Sequence, residues 1–260
     1  MKRRNRNIIV WGLLVIYLII ATSLMTHQTG STLCNSINII IHDSTTNSFV
    51  RHTDVITILE ENFNRVVGEP IKNINTFEIE QLMENVGVIK SCNAYTTLDG
   101  KLNIEIQQRT PIVRIINGKG QSYYLDLEGY VIHRSRHFTP HVLVMNGNIK
   151  SYFTPGRDHN ILNDSIKEKK LRDYYSLAKI IYEDEFWRAQ VEQLYVKKNN
   201  EVDLIPRVGA HLIEFGKPDD CEKKLRKLKV FYTEGLNKIG WNQYEIINIS
   251  YKDQIVCTKR

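Results

Sequence analysis

The sequence predicts an α+β protein in three parts: a single N-terminal transmembrane helix, a small strand–helix–helix–strand–strand domain, and a β-rich domain with a large antiparallel sheet and flanking helices. Three observations support this prediction. An uncharged apolar run lies near the amino terminus, one complete α/β unit follows it, and short strand patterns dominate after Pro111. At 260 residues the chain is long enough for two small folded domains.

Residues 8–25, IIVWGLLVIYLIIATSLM, form an uncharged run of 18 residues that predicts the transmembrane helix. The hydrocarbon core of a bilayer requires about 20 apolar residues. A cleaved signal peptide would end in a small-residue site of the type A-x-A, and the nearest match, Ala21-Thr22-Ser23, lies inside the run. We therefore expect an uncleaved anchor in the lipid bilayer.

The charge distribution sets the orientation of this anchor. Four of the first six residues are Lys or Arg, so the segment 1–7 is a basic tail that stays cytoplasmic. This predicts a single-pass type II membrane protein, with a polar linker over 26–35. Beyond the tail, positive and negative charges almost balance. We expect no nucleic-acid partner, because such binders concentrate basic residues on one face of a folded domain.

The segment 36–109 is predicted to form the first folded domain. INIIIHDS has the composition of a strand, and Thr53-Asp54 marks the start of a helix. Asn75 with Glu78 three residues later marks a second helix. IKSCNAY and KLNIEIQQ then predict two strands joined by a tight turn at Leu98-Asp99-Gly100.

Arg109-Thr110-Pro111 separates this unit from a second predicted domain at 110–258. Proline cannot donate to a sheet ladder, so the interruption marks a joint between two strand patterns. Short apolar runs between turn residues predict strands at 112–116, 123–126, 130–132, 142–145, 190–197, 201–206 and 211–215. Helical spacing predicts helices at 165–183 and 219–238, and YEIINISYKDQIVC is expected to form one terminal strand.

No pattern in the sequence indicates catalysis, a cofactor or a small-molecule substrate. The sequence contains no nucleophile elbow, phosphate-binding loop or zinc-protease signature. His133, His137 and His141 are spaced by four, but Pro140 argues against a helix that would gather them around a metal. We therefore predict neither an enzyme nor a metal site.

Other polar features fit structural roles. Asp126 before Glu128-Gly129 is typical of a turn, and the lysines of 217–229 are typical of a solvated helix face. The four cysteines show no metal-binding spacing; they are Cys34, Cys92, Cys221 and Cys257. Whether any two of them pair in a disulfide stays open at this point.

Four segments, in this order, resemble the FtsQ (DivIB) family of bacterial cell-division proteins. They are GKLNIEIQQRTPIVRI at the joint, YYLDLEGYVI after it, DLIPRVGAHLIEFG in the β domain and KLRKLKVFY in the penultimate helix. The resemblance implies a POTRA-like fold for the first domain. It also implies a non-catalytic bitopic scaffold of the divisome, located at the division septum, which links early and late division proteins.

The resemblance further implies a partner site near the end of the chain, where the family binds the FtsB–FtsL pair by adding a partner segment to an edge strand. The matching strand is Ile246 to Val256, and strand addition uses backbone hydrogen bonds for affinity and alternate side chains for specificity. The predicted partner-binding residues are Tyr244, Ile246, Ile247, Ile249, Ser250, Tyr251 and Val256. Side-chain contacts are expected from Tyr244, Ile249 and Tyr251. The alternative is an ordinary terminal strand packed inside the sheet.

Two other functions are weighed against the scaffold. A POTRA-containing envelope protein for outer-membrane assembly or secretion would normally carry several POTRA units and a barrel of many alternating strands. The part of the chain after Pro111 is too short for such a barrel and is interrupted by two polar helices. An anchored cell-wall hydrolase would require a convergent acid–base or nucleophile group, which the sequence does not indicate.

The predicted topology can be tested with a reporter fusion. Alkaline phosphatase fused after Arg260 should be active, because the basic tail keeps only the amino terminus in the cytoplasm. Enzyme activity in intact cells is the measurement, with a cytoplasmic reporter fused at the same position as the control. An inactive phosphatase together with an active cytoplasmic reporter would reverse the topology.

Overall fold

The computed structural model describes residues 11–21, 32–43, 47–63, 65–135, 137–154, 159–163 and 169–260. The chain divides into two compact units, Met1–Gln108 and Arg109–Arg260. Residues 11–21 form a helix, α1. Among the described residues no helix is both long enough and apolar enough to cross a membrane. The predicted basic tail, both ends of the predicted span and most of the predicted linker lie outside the described residues.

The first unit has the predicted strand–helix–helix–strand–strand order. Its elements are β1 (Ser36–His42), α2 (His52–Asn62), a short 3-10 turn (Ile71–Asn73), α3 (Thr76–Glu84), β2 (Ile89–Thr96) and β3 (Lys101–Gln108). β3 is the central strand, parallel to β1 and antiparallel to β2. The three strands thus form one small sheet.

Local capping determines where the helices of the first unit begin. The side chain of Asn75 accepts the N–H of Glu78 at 3.3 Å, so the predicted cap of α3 is confirmed. α2 starts one residue before the predicted Thr53-Asp54 signal. The reason is that Asp54 accepts the backbone N–H of Arg51 at 3.0 Å, which makes Arg51 the cap and places Asp54 in the first turn.

The core of the first unit combines one face of each helix with the central strand. Seven of its most deeply buried side chains, each at most 2% exposed, lie on these helices and this strand: Val55, Leu59, Ile79, Met83, Leu102, Ile104 and Ile106. The helix residues in this set recur at the spacing of one helical face, and the β3 residues alternate. The periodicity read from the sequence therefore corresponds to real burial.

The outer edge of β2 is occupied by side chains of α3. Glu80 Oε1 accepts the N–H of Ala94 at 2.8 Å, and Glu84 Oε1 accepts the N–H of Cys92 at 3.2 Å. Burial, and then the charges of the two glutamates, raise the pKa of the Cys92 thiol to about 11. Two backbone donors that β3 does not use are therefore satisfied within the unit.

The second unit is built on a nine-stranded sheet. Its strands are β4 (Pro111–Ile116), β5 (Ser122–Asp126), β6 (Val131–His133), β7 (Leu143–Gly147), β8 (Val191–Val196), β9 (Val202–Pro206), β10 (Leu212–Gly216), β11 (Tyr244–Asn248) and β12 (Val256–Lys259). Its helices are α4 (Lys169–Glu183), α5 (Glu185–Gln190), α6 (Cys221–Val230) and α7 (Asn237–Ile239), with a π-helical turn (Phe231–Leu236) between the last two. Across the sheet the order is β12-β11-β10-β9-β8-β7-β4-β5-β6.

The prediction of an antiparallel sheet is wrong in part, because the sheet is mixed. The pairs β4–β7, β7–β8 and β10–β11 are parallel. Parallel neighbours need a crossover that returns the chain to the same end of the sheet. α4 and α5 form the crossover between β7 and β8, and the helical stretch from α6 to α7 forms the one between β10 and β11.

A row of apolar side chains crosses six neighbouring strands on the face that packs against the helices. This buried row consists of register partners that are all fully buried: Ile115, Met145, Leu194, Leu204, Ile213 and Ile247. Leu177 of α4 and Leu228 of α6 belong to the same core cluster. Each large aliphatic side chain contributes about 1.5–3 kcal/mol on burial. A shift of one residue would turn the row to the other face, so the row fixes the register.

A buried ion pair holds the start of the second unit. Arg109 and Asp126 are 7% and 1% exposed, and Arg109 Nη1 lies 3.0 Å from Asp126 Oδ2. Asp126 also accepts the N–H groups of Glu128 and Tyr130, at 3.0 and 2.7 Å, which closes the predicted turn. The Arg109 guanidinium lies 3.8 Å from the centre of the Tyr130 ring. Tyr175 of α4 donates its hydroxyl to the backbone of this turn.

All four cysteines are free, and three of them are buried. The question left open by the sequence is therefore answered for this structure: no disulfide joins them. The stability of both units therefore comes from non-covalent interactions: packing, hydrogen bonding and ion pairs such as Arg109–Asp126.

Replacing Asp126 by Asn should strongly destabilise the second unit. The change keeps the size of the side chain but leaves the buried Arg109 without its main counter-charge, which costs about 3–5 kcal/mol. The free energy of unfolding can be measured by urea titration followed by tryptophan fluorescence, since Trp187 lies in this core. The control is Glu128→Gln, which removes a charge from a partly exposed neighbour and should cost under about 1 kcal/mol. Equal losses in the two variants would contradict the role of the buried pair.

Candidate partner-binding edge

The end of the chain forms a hairpin instead of one strand. β11 ends at Asn248 and β12 begins at Val256, and the two strands pair antiparallel with Ile247 opposite Cys257. The predicted continuous strand from Ile246 to Val256 is therefore wrong. β12 is the outermost strand of the sheet and has β11 as its neighbour on one side. Among the described residues no strand pairs with its other side, which is therefore an edge whose backbone groups face away from the sheet.

Asn248 ends β11 through its own side chain. Asn248 Oδ1 accepts the N–H of Ser250 at 3.0 Å and its hydroxyl at 2.6 Å, a local turn that asparagine favours. The N–H of Ile249 donates to the carbonyl oxygen of Glu214 at 3.0 Å, so Ile249 stays in the core while the chain turns away. At Gly216, where φ is +78°, a Cβ would come within 2.7 Å of the Ser250 Cβ. This close crossing requires glycine.

Lys227 of α6 holds the connection between the two strands. Its Nζ donates to the carbonyl oxygens of Ile249 at 3.1 Å and Gln254 at 3.0 Å, and also to that of Tyr251. An ammonium group has three donors, so this side chain can direct all of them to one loop. Burial lowers the pKa of Lys227. One cation therefore fixes the path of the loop and, with it, the position of β12.

A polar ladder on the opposite face of the sheet also ends at β11. The Nζ of Lys197, the residue that follows β8, lies 2.8 Å from Asp203 Oδ1 and 3.5 Å from Glu214 Oε1. Asn248 Nδ2 donates to Glu214 Oε2 at 2.6 Å. Burial acts to lower the pKa of Lys197, but the hydrogen bonds and charges of Asp203 and Glu214 raise it overall. Burial raises the pKa of Asp203. β11 is thus tied to the central strands on both faces.

The seven residues predicted to bind the partner fall into three structural groups. Tyr244, Ile246 and Ile247 lie in β11, Ile249, Ser250 and Tyr251 lie in the connection, and Val256 begins β12. Ile247 and Ile249 are fully buried, whereas Tyr251 and Val256 are 50% and 44% exposed. The structure therefore exposes Tyr251 in the connection and Val256 at the start of β12, and keeps two of the isoleucines in the core.

Two features of this site were not recognised from the sequence. The lysine-rich pattern of 217–229 predicts a solvated face, yet Lys227 is half-buried between the buried stripe residues Leu225 and Leu228. Its position beside that stripe is the signal that could have identified it. The end of the connection is also marked in the sequence, since the three consecutive polar residues Lys252-Asp253-Gln254 stop the apolar alternation after Tyr251.

These features define a class of protein: a small α/β module followed by a mixed-sheet domain with an open terminal strand. Within the described residues no group of His, Cys, Asp and Glu is arranged to hold a metal ion. A family model described as FtsQ/DivIB, C-terminal related, matches residues 110–258, and one described as a POTRA-like domain matches residues 32–107. No curated protein gives a significant match to this sequence.

The chain belongs to the FtsQ/DivIB C-terminal related family, because that match covers more than half of its length. The first unit contains a POTRA-like domain. The resemblance to the FtsQ (DivIB) family and the α+β class with a POTRA-like domain are therefore confirmed. Membership in this family makes the chain a division-related scaffold.

Replacing Lys227 by Met should loosen β12. Methionine keeps much of the apolar stem but removes the charge and the three donors, leaving the loop carbonyls without their partner. We expect backbone amides of β12 to exchange with solvent about tenfold faster or more, corresponding to the loss of at least one hydrogen bond of about 1–3 kcal/mol. Hydrogen exchange followed by mass spectrometry is the measurement.

The matched control is Lys223→Met, which removes the same charge from an exposed position on the same helix. Exchange in β12 should then remain at the wild-type rate. Unchanged protection in the Lys227→Met variant would show that the loop does not depend on this cation.

Proposed function

We propose that the chain is a non-catalytic membrane scaffold of the divisome that binds an FtsB–FtsL-like pair through the free edge of β12. The observation that carries this proposal is the open terminal strand held in place by Lys227. A strand that is fixed in position but unpaired on one side offers a row of backbone donors and acceptors. A partner segment can satisfy them by adding one further strand to the sheet.

The proposed contacts combine backbone pairing with a few side chains. Among the predicted residues, Tyr251 and Val256 are the large hydrophobic side chains that are exposed. Their exposure suits them to contact a partner, whereas Ile247 and Ile249 support the strand from inside. Because the edge is anchored before binding, less conformational entropy is lost when the partner strand adds.

The proposed location follows from the segments that precede the first unit. We propose that residues 8–25 anchor the chain in the cell inner membrane as a single-pass type II protein and that the two folded units act outside the cytoplasm, at the septum. In this position a scaffold links early and late division proteins without catalysing a reaction. The POTRA-like first domain provides a second surface for such contacts.

The family match of residues 110–258 favours this function over the two alternatives. An envelope protein for outer-membrane assembly or secretion shares the POTRA-like domain but not the second one. A cell-wall hydrolase would need a reactive group that the proposal does not require. Assaying partner binding beside peptidoglycan hydrolysis distinguishes the scaffold from the hydrolase.

Two adjacent proline variants test the edge. Thr258 and Lys259 are both exposed on β12, and neighbouring residues of a strand direct their N–H groups to opposite sides. Of Thr258→Pro and Lys259→Pro, one therefore removes an outward N–H and the other an N–H directed at β11. Amide hydrogen exchange in the free wild-type protein identifies the outward group, because it exchanges faster.

The variant that lacks the outward N–H should remain folded and lose at least about fivefold in affinity for the purified FtsB–FtsL pair, since a lost hydrogen bond costs about 1–3 kcal/mol. Affinity is measured by titration of the labelled pair. The control is Lys252→Ala in the connection, where loss of a surface charge should change affinity by less than about 1 kcal/mol. Wild-type affinity in a folded outward-proline variant would exclude β12 as the binding edge.

A further inference from the structure

The second unit contains a cleft that is separate from the terminal hairpin. It has a volume of about 270 Å³ and lies at the amino ends of three parallel strands, β4, β7 and β8. The end of α4, part of α5 and the loop before β7 complete its walls. Its floor is apolar, since Ile112, Ile181 and Val191 are at most 3% exposed. No residue of β11 or β12 lines it.

Positive charge exceeds negative charge around this cleft. Arg114 on β4, Arg188 on α5 and Arg207 after β9 all line it, and Glu192 is the acidic residue of the lining. In the part of the chain that the structure describes, none of the three arginines forms an ion pair. In contrast, Arg109 of the same unit is paired with a carboxylate. The cleft thus has three arginines and one glutamate around an apolar floor, and within the described residues the arginines form no ion pair.

Aromatic and polar neighbours hold two of these guanidinium groups in position. Arg114 Nε donates to Ser122 Oγ at 3.0 Å, and its guanidinium lies 5.9 Å from the centre of the Tyr124 ring. The guanidinium of Arg188 lies 5.4 Å from the centre of the Tyr182 ring. A guanidinium carries five N–H donors in one plane, so these contacts leave donors available for a ligand. The side chains are therefore oriented before a ligand arrives.

The backbone also positions the third arginine. The N–H of Arg207 donates to the carbonyl oxygen of Gln190 at 2.7 Å, which ties the end of β9 to the start of β8. Because β8 and β9 are antiparallel neighbours, this bond places Arg207 at the same end of the sheet as Arg188. All three cations therefore belong to the rim of one cleft.

We propose that this cleft binds an acidic peptide segment of a protein partner, with one carboxylate between the arginines and one aliphatic side chain on the floor. Planar guanidinium groups bind carboxylates through paired N–H donors, which gives both affinity and orientation. The cleft is smaller than most sites for drug-sized ligands, which occupy about 300–1,000 Å³, so it accommodates only one or two side chains. A nucleic acid strand would need an extended basic groove with stacking surfaces.

Three small molecules test separately how much the carboxylate and the aliphatic side chain contribute to binding. N-acetyl-leucine presents a carboxylate and an aliphatic side chain, N-acetyl-leucinamide lacks the charge, and inorganic phosphate lacks the aliphatic group. Each is titrated into the full chain while the amide resonances of Val144 and Glu192, which line the cleft, are followed by NMR. We expect saturable shifts with N-acetyl-leucine at about millimolar concentration, as is usual for so small a ligand, and weaker effects with the other two.

Charge variants assign the effect to the arginines. The double variant Arg188→Gln with Arg207→Gln should weaken N-acetyl-leucine binding about tenfold or more, since charge-assisted hydrogen bonds are the strong ones. The matched control is Arg226→Gln, an exposed arginine of α6 outside the cleft, which should leave binding unchanged. The spectra of each variant report directly whether it is folded.

Three results would overturn the proposal: equal binding of N-acetyl-leucinamide, equal binding of phosphate, or unchanged binding in the folded double-arginine variant. None of them bears on the β12 edge, and loss of partner binding in a β12 proline variant would leave this cleft intact. The proposal for the cleft and the proposal for the β12 edge can therefore be tested independently.

Discussion

The buried row across the nine-stranded sheet is the constraint on which the second unit depends. Its members occupy register positions on six neighbouring strands, so the faces of the residues directly beside them follow from it. Next to Ile247, Asn248 must face away from the helices, where it meets Glu214. α6 packs on the row, and Lys227 reaches the loop from that side. The position of the terminal edge is therefore a consequence of central packing.

Features encoded by neighbouring residues could be predicted from the sequence, whereas those set by distant partners could not. The cap at Asn75 depends on a residue three positions away, and the turn after Asp126 on residues two and four positions away. Parallel pairing of β10 with β11 depends on a helical crossover and leaves no local pattern. The hairpin break was hidden because Ile247, Ile249 and Tyr251 keep the alternation of a strand although the backbone turns between them.

The edge of β12 and the arginine-lined cleft of the same unit offer different kinds of recognition. An edge strand pairs through backbone groups that every sequence possesses, so its selectivity must come from a few side chains such as Tyr251 and Val256. In the proposal made for it, the cleft recognises a charge and a shape, and its preference is set by Arg114, Arg188 and Arg207. Recognition by the edge depends on β12 at the outside of the sheet, whereas recognition by the cleft depends on β4, β7 and β8 nearer its centre. A scaffold with both can hold two partner segments without competition between them.

The glutamates of α3 that occupy the outer side of β2 have a consequence for the behaviour of many copies of this chain in a confined space. Exposed strand edges allow identical domains to pair with one another, which can begin aggregation. At β2, the N–H groups of Cys92 and Ala94 already have acceptors within their own domain. A second copy could pair with this edge only if it displaced the two carboxylates from these N–H groups and tolerated their negative charge close by. The β2 edge of the first domain is thus protected from pairing with a second copy by two side chains of the domain's own second helix.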